Sequence, residues 1–301
     1  MGRFYYKVYG LVCESQVELP ALLPVEKISN IDFKVRVVET IPAFQIPAIF
    51  QEEGLSYNES EFYLEMPEIA QYLVQNGKTI YIKALTKDWD SILLFFYSNC
   101  LGALLFQKNL IPFHVSGVVN KEGKVWLFAA PSQTGKSTTA LKLKEKGFEI
   151  FTDDTALIFV KEGKSWAIPS YPMIRAWKST LDRQKVYKES DGSRIREEFD
   201  KYGILYHQDF SDEPREILGV IFLEEKGTEI RVEKLSQMQG LEFLGHNVYR
   251  GYWIEGMNKQ ILQFQVLTSI ARNSSFWKAS RPENQDTFES FYKAIVDQIM
   301  E

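Results

Sequence analysis

The 301-residue sequence has little cysteine and no excess of positive charge. Its only cysteines are Cys13 and Cys100, and two cysteines in a chain of this length do not form a disulfide framework. A reducing, cytoplasmic location is therefore expected. The formal net charge is -5, whereas general nucleic-acid binding needs a basic field, so the sequence predicts no nucleic-acid partner.

A secretory signal and a long apolar run are also missing. Residues 1–9 are polar and aromatic, without the apolar core of a signal peptide. The longest uncharged stretch, residues 91–107, has seventeen residues, several of them polar. A bilayer span needs about 20 apolar residues, so this stretch predicts a buried helix and no membrane insertion. The 45% hydrophobic and 25% charged residues are ordinary globular values for one large or two smaller domains.

The amino-terminal part has the patterns of β-strands. Residues 4–13 alternate loosely and predict one strand, and residues 31–38 alternate cleanly between apolar and polar side chains. Residues 61–66 and 78–84 predict further strands. No cluster of nucleophile, base or metal ligands occurs in this part. Residues 1–88 are therefore expected to form a small β-rich amino-terminal domain.

Residues 90–108 carry a helical, mostly apolar pattern, so residues 89–110 are predicted to be a linking helix. The remaining segment, residues 111–301, is predicted to form a second, α/β domain. Within it, residues 182–201 include twelve charged residues of both signs and few large apolar ones. Such a segment favours a solvated loop or exposed helix, or a mobile lid over an active site, and both interpretations remain open.

The most informative pattern lies in residues 125–154. The apolar run 125–129 predicts a buried strand, and residues 135–138, Gly-Lys-Ser-Thr, open a helical pattern that ends near Gly147. Strand, phosphate loop and helix in this order make a nucleotide site, because the first turn of a helix presents unpaired N–H groups. The residues expected to bind the nucleotide are Ser132, Gln133, Thr134, Gly135, Lys136, Ser137 and Thr138. Lys136 is expected to reach the β- and γ-phosphates, and Ser137 to ligate Mg²⁺.

Two carboxylates follow the next apolar run. Asp153 and Asp154 end a predicted strand that we expect beside the phosphate-loop strand. A carboxylate at that place can hold Mg²⁺ directly or through water. In a regularly extended strand the two side chains point to opposite faces, which predicts different roles. The alternative is that both only cap the passage from strand to loop, where aspartate is common.

Together, residues 111–160 resemble the HPr kinase/phosphorylase family and its relatives encoded with peptide-modification systems. The shared features are a strand histidine, a loop serine, the Gly-Lys-Ser sequence and the paired aspartates: His114, Ser132, Gly135-Lys136-Ser137 and Asp153-Asp154. Residues 5–24 and the segment containing Tyr171-Pro172, Arg175 and Trp177 are more similar to the HPr-kinase-related branch, known from lasso-peptide biosynthesis. Members of that branch phosphorylate a serine of the precursor peptide.

The resemblance implies a P-loop kinase core of the HPr kinase/phosphoenolpyruvate carboxykinase type that uses ATP and Mg²⁺. It implies that Asp153 is the base that activates the acceptor serine and that Asp154 and Ser137 serve the metal. His114 matches a family histidine near the phosphates, and a hydrogen-bonded core histidine is the equal alternative. The expected function is an ATP-dependent serine kinase acting on a peptide or small protein, most specifically a lasso-type precursor peptide. The alternatives are an HPr serine kinase, a P-loop nucleoside triphosphatase and a nucleotide-gated peptide-binding module.

Several positions depart from the family pattern. Ala130 replaces the first loop glycine, Gln133 stands where HPr kinases usually have glycine, and Thr138 stands where they have glutamate. Their glutamate-arginine-glycine segment has no clear counterpart, which argues against the reverse, phosphorylase activity. Arg175 and Arg250 are further candidates for contacts with phosphate or acceptor, and surface ion pairs are the alternative. The sequence leaves open whether the chain forms a homo-oligomer.

Overall fold

The computed structural model describes residues 2–131, 134–196 and 199–300. The chain divides into two compact units, Met1–Pro112 with Tyr249–Gln265, and Phe113–Val248 with Val266–Glu301. The segment 89–110, expected to be a linking helix, lies in the first unit. Both units contain sheets and helices, so the chain has a mixed α/β fold.

The first unit is built on one nine-stranded sheet with the order β3-β1-β2-β4-β9-β8-β7-β6-β5. Its strands are β1 (Phe4–Val8), β2 (Leu11–Ser15), β3 (Leu23–Pro24), β4 (Phe33–Val37), β5 (Phe50–Glu52), β6 (Leu55–Tyr57), β7 (Glu61–Met66), β8 (Ala70–Gln75) and β9 (Thr79–Ala84). Strand β4 pairs in parallel with β2 and β9, and the other pairs are antiparallel. The predicted strands at 31–38, 61–66 and 78–84 are confirmed.

The single strand predicted over residues 4–13 is wrong, because the chain reverses at Tyr9-Gly10. Both residues have positive φ, 52° and 71°, and Val8 pairs with Leu11 in the resulting hairpin. A two-residue turn of this kind twists in the same sense as its strands. Tyrosine is not a typical residue for the first position of such a turn, so the alternation of apolar and polar residues does not mark where the chain reverses.

One long helix follows the sheet. It begins with α1 (Trp89–Phe95), passes through a π-helical turn at Phe96–Cys100 and continues as α2 (Leu101–Gln107). The Asp88 carboxylate caps its first turn by accepting the N–H groups of Asp90 and Ser91. The helix is long and apolar enough to span a membrane, with a mean hydropathy of 1.4 over its most apolar window, but 67% of that window is buried. Buried core helices of soluble proteins pass the same test.

The second unit contains a further sheet of nine strands and a sheet of three. The strands are β10 (Pro112–Phe113), β11 (Val115–Val119), β12 (Val125–Ala129), β13 (Glu149–Thr152), β14 (Ala156–Lys161), β15 (Lys164–Pro169), β16 (Met173–Trp177), β17 (Gly192–Arg196), β18 (Phe199–Leu205), β19 (Arg215–Glu225), β20 (Arg231–Lys234) and β21 (Ser275–Arg281). The larger sheet has the order β10-β14-β15-β19-β12-β11-β13, with β21 paired to both β19 and β20. The smaller sheet has the order β16-β18-β17.

The predicted strand at residues 125–129 is confirmed as β12, whose five residues are all buried. It lies between β11, which is antiparallel to it, and β19, which is parallel to it. Strand β13 pairs with β11, so our prediction that the strand before Asp153 lies beside β12 is wrong. The reason is the tight β11–β12 hairpin, which places β11 between them.

The helices are α3 (Lys136–Lys144), α4 (Lys178–Leu181), α5 (Gln237–His246), α6 (Gln260–Asn273) and α7 (Phe288–Ile295). Helix α3 packs Ala140, Leu141 and Leu143 into the core of the second unit, beside β12. Residues 197 and 198 of the charged segment 182–201 lie outside the described residues. In the rest of the segment β17 pairs with the first residues of β18, so it is neither a single loop nor a single helix. Backbone pairing gives this polar segment regular structure that side-chain hydrophobicity did not indicate.

Candidate active site

A cleft of about 460 Å³ in the second unit brings most of the predicted site residues together. From the loop and first turn of α3 it includes Thr134, Gly135, Lys136, Ser137 and Thr138. From the strands around it and the residues next to their ends it includes His114, Asp153, Asp154 and Arg175. Ser132 and Gln133, also predicted to bind nucleotide, lie outside the described residues.

Gly135 sets the geometry at the start of α3. Its φ of 106° lies in the region that L side chains rarely adopt, so glycine suits the residue before the helix. As the N-cap residue, Gly135 has no side chain with which to cap this end of α3. The first N–H groups of a helix have no partner within the helix, so this end suits an anion.

The Lys136 side chain is buried and folds back on the preceding loop. Its Nζ donates to the carbonyl oxygen of Ala130 at 2.7 Å and to that of Pro131 at 3.3 Å. Burial lowers the pKa of Lys136 to about 8, against the opposing effects of Asp153 and Asp154. The ammonium group is thus poorly solvated and held by carbonyl dipoles, which an anion such as phosphate can replace.

Asp153 is only 2% exposed and accepts hydrogen bonds at both carboxylate oxygens. Oδ1 accepts from the hydroxyls of Ser116 at 2.6 Å and Ser137 at 2.8 Å. Oδ2 accepts from the backbone N–H of Arg175 at 2.8 Å. Three donors keep this buried carboxylate in one orientation, and Ser137 connects it directly to the first turn of α3.

Ser116 was not predicted as a site residue. It is fully buried in β11, where a single serine within Val115–Val119 looks like a chance polar residue in an apolar strand. A buried hydroxyl needs a hydrogen-bond partner, which is the one signal in the sequence that pointed to a polar site nearby. The structure identifies that partner as Asp153.

Asp154 does not continue the strand, because its φ is 72°. The expectation that two aspartates alternate between the faces of a regular strand is therefore wrong. The Asp154 Oδ2 accepts from Arg175 Nη1 at 2.9 Å, and its backbone oxygen contacts His114 Nδ1 at 2.8 Å. Burial tends to raise the pKa of Asp154, but Arg175 and His114 outweigh burial and hold the pKa below its usual value. Asp154 is therefore charged at neutral pH.

His114 lines the cleft, as a histidine near the phosphates would, and it is hydrogen-bonded, as a core histidine would be. It therefore combines features of both alternatives. Its Nδ1 also lies 3.6 Å from Oδ1 of Asp154. Burial lowers the pKa of His114, although Asp154 acts in the opposite direction. The imidazole is therefore mainly neutral at pH 7, and the tautomer with a proton on Nδ1 donates to the Asp154 carbonyl.

The two predicted arginines lie in different surroundings. The Arg175 guanidinium lines the cleft, where it also donates to the Tyr171 hydroxyl at 2.9 Å. Arg250 belongs to the first unit and is not among the described residues that line the cleft. Its guanidinium donates to the Ser98 carbonyl oxygen and the Tyr252 hydroxyl.

The donors near Asp153 fit a magnesium ion that is shared with a nucleotide. Among the described residues, no group of three or more His, Cys, Asp or Glu is arranged to hold a metal by itself. Mg²⁺ commonly binds through one or two carboxylates together with substrate phosphates and waters. The Ser137 hydroxyl and the carboxylates of Asp153 and Asp154 supply oxygen donors of this kind at the start of α3.

The likeness of this chain to known proteins is structural and distant. No model of a protein family matches the sequence, and no curated protein matches it. Among solved structures, the HPr(Ser) kinase/phosphatase from Coxiella burnetii matches with a TM-score of 0.31 and 10% identity. The match covers 62% of this chain and 88% of that chain. This likeness is a weak one.

Proposed function

We propose that this protein is a kinase that transfers the γ-phosphoryl group of ATP to a serine hydroxyl of a peptide or small protein. The observation that carries the proposal is the bond between Ser137 and Asp153. It joins the first turn of a helix suited to phosphate to a buried carboxylate, in one cleft with Lys136 and Asp154. Phosphoryl transfer needs mainly this combination of positioning and charge stabilisation.

In this proposal the nucleotide phosphates bind at the loop and the first turn of α3. The N–H groups of that turn contact phosphate oxygens, and Lys136 Nζ exchanges the Ala130 and Pro131 carbonyls for the β- and γ-phosphates. Ser137 and Asp154 would hold Mg²⁺, which offsets negative charge on the phosphates when it is bound. Arg175 keeps Asp154 charged and in place through their ion pair.

Asp153 is proposed as the base. In the structure it already accepts a hydrogen bond from a serine hydroxyl, that of Ser137, at 2.8 Å. Were the Ser137 hydroxyl to hold Mg²⁺ instead, Asp153 Oδ1 would have a free acceptor position that the hydroxyl of the acceptor serine could occupy. The proton then passes from that hydroxyl to the carboxylate while the oxygen attacks the γ-phosphorus and ADP leaves. Ser116 and the Arg175 N–H keep the carboxylate orientation fixed.

The proposed acceptor is a serine near the tail of a ribosomally made, lasso-type precursor peptide, with a cytoplasmic location. The sequence features that support this choice are residues 5–24 and the Tyr171-Pro172 segment with Arg175 and Trp177. The alternative acceptor is a serine of HPr. The first unit offers a further recognition surface, because β3 and β5 are the edge strands of its sheet and an extended peptide can pair with such an edge.

The test is incubation with Mg-ATP, labelled in the γ-phosphate, and each acceptor separately. We expect mass spectrometry to find one added phosphate on the precursor peptide and none on HPr. A peptide with its serine replaced by alanine is the matched control for the acceptor. Asp153→Asn is the control for the enzyme. Labelled HPr with an unlabelled peptide would reject the proposed acceptor.

A water molecule at the position of the acceptor hydroxyl would make the same cleft a nucleoside triphosphatase. Free phosphate, with neither acceptor labelled, would support that alternative. Nucleotide binding without either product, together with nucleotide-dependent capture of the peptide, would instead support a nucleotide-gated binding module. Failure to bind nucleotide would contradict all three functions.

A further inference from the structure

The three-stranded sheet of the second unit places one lysine in the cleft that the sequence did not single out. Strand β18 pairs with β16, so that Lys201 is opposite Trp177 and Gly203 is opposite Arg175. Alternate residues share one face of a sheet, so Arg175, Trp177 and Lys201 are on the same face. All three line the cleft.

Lys201 is held on that face by its neighbour across the strands. Its Nζ lies 5.8 Å from the centre of the Trp177 ring, and the residue is only partly exposed. The aliphatic part of a lysine side chain can follow an apolar surface while its ammonium group stays at a polar boundary. The Trp177 ring thus restricts the positions of the Lys201 ammonium group. Gly203, which is opposite Arg175, has no side chain.

The other cations of the cleft already have oxygen partners. Lys136 donates to two backbone carbonyls, Lys142 contacts Glu145 and Glu289, Arg175 contacts Asp154, Arg183 contacts Asp286 and Arg281 contacts Glu225. Within the described part of the chain, the Lys201 ammonium group has no hydrogen bond or ion pair to an oxygen atom, and it contacts the Trp177 ring. An anion that enters the cleft meets this ammonium group without displacing a protein oxygen.

The charge of Lys201 affects the pKa values of two other residues of the cleft, Lys136 and Asp154. Burial and then the neighbouring carboxylates dominate the pKa of Lys136, and Lys201 contributes to lowering it. Burial raises the pKa of Asp154, and the charges of Arg175, His114 and Lys201, in that order of size, lower it. Lys201, Lys136 and Asp154 all line the cleft, so a phosphate bound there would be within the electrostatic field of all three.

We propose that Lys201 is a second phosphate-binding cation, which contacts the γ-phosphoryl oxygens of the nucleotide from β18. This inference rests on the proposed function. Lys136 and Lys201 would then bind the transferring group together, one from the first turn of α3 and one from β18. Contact with the γ-phosphate predicts that Lys201 contributes to the affinity for ATP and not to that for ADP, since ADP lacks this group.

The experiment compares the affinities of Lys201→Met for ATP and for ADP by calorimetry. A charge-assisted hydrogen bond of the usual strength predicts that ATP binds roughly ten- to hundredfold more weakly. ADP affinity is expected to change by less than about threefold. Lys201→Arg keeps the charge and is expected to retain most of the ATP affinity.

The chain offers a closely matched control. Lys234 on β20 is opposite Trp277 on β21, and its Nζ lies 5.7 Å from the ring of that tryptophan. It is not among the described residues that line the cleft. Lys234→Met removes the same kind of cross-strand contact, so it is expected to leave both affinities unchanged and to shift the melting temperature as Lys201→Met does.

Two results would overturn the assignment of Lys201 while the proposed function stands. One is unchanged ATP affinity in Lys201→Met. The other is an equal loss of affinity for ATP and ADP. Such a result would mean that Lys201 contacts the phosphates that both nucleotides share, or that the substitution disturbs the fold. A wild-type protein that binds neither nucleotide would contradict the proposed function itself, and the assignment with it.

Discussion

Ser137 donates a hydrogen bond of 2.8 Å to Oδ1 of Asp153, sixteen residues later in the chain. The bond joins the first turn of α3 to the end of β13. Ser116 donates to the same oxygen from β11, so three neighbouring elements meet at one carboxylate. A change in any of the three side chains is therefore expected to affect the other two.

Lys136→Met is expected to weaken ATP binding by roughly ten- to hundredfold, because it removes a charged hydrogen-bond donor to phosphate. The methionine has a similar length and suits a buried position, so the fold should persist. Calorimetric titration with ATP and a thermal melt measure the two effects. Lys144→Met is the control, since Lys144 is on the same helix but pairs with Asp209. Normal ATP affinity with retained turnover in Lys136→Met would contradict the assignment.

The two aspartates are expected to differ when each is replaced by asparagine. Asp153→Asn should bind ATP and lose transfer by about 10²- to 10⁴-fold, the usual contribution of a base. Asp154→Asn should instead require more Mg²⁺ for half-maximal turnover and bind Mn²⁺ more weakly in electron paramagnetic resonance titrations with ATP. Identical metal titrations for the two variants would show that the roles are not divided in this way.

Ser116→Ala is expected to lower both turnover and stability. The hydroxyl is fully buried and donates to a carboxylate, and a hydrogen bond to a charged group contributes about 1.5–3 kcal/mol. Chemical denaturation measures the loss of stability. Ser165→Ala is the matched control, because Ser165 is also buried but bonds to Ser274. It should lose stability and keep turnover, so equal turnover losses in both variants would argue against a positioning role for Ser116.

ATP affinity is expected to fall as pH rises above 8. Burial lowers the pKa of Lys136 from 10.5 to about 8, so in the free protein its ammonium group loses its proton in that range. Bound phosphate favours the charged form of Lys136. Above this pKa, the Lys136 amine must therefore take up a proton when ATP binds. Affinity should then be nearly constant around pH 7, begin to fall as pH approaches 8, and fall by up to about tenfold per pH unit above pH 9.

Titration of ATP into the protein between pH 7 and 9.5 measures this dependence. Lys136→Arg provides the comparison, since arginine stays charged throughout and should bind with little change over the range. A wild-type affinity that is constant up to pH 9.5 would show that Lys136 is not the group that binds phosphate.

The sequence by itself determined the elements whose signal is local. An apolar run of five residues predicts β12, and the glycine before Lys136 predicts where α3 begins, because few other residues adopt a φ of 106°. The same local patterns placed Lys136 and Ser137 at the start of a helix and Asp153 and Asp154 at the end of the following strand. Their meeting in one cleft depends on the pairing of that strand with β11, which the sequence did not predict.

Only the tertiary structure decided what depends on pairing between distant segments. The β11–β12 hairpin separates β13 from β12 and brings Ser116 to Asp153, and a positive φ at Asp154 turns its carboxylate towards Arg175. The pairing of β18 with β16 brings Lys201 into the cleft from a segment whose composition suggested a solvated loop. Strand register and backbone torsion are set by the packing of the whole sheet, and no window of sequence contains that information.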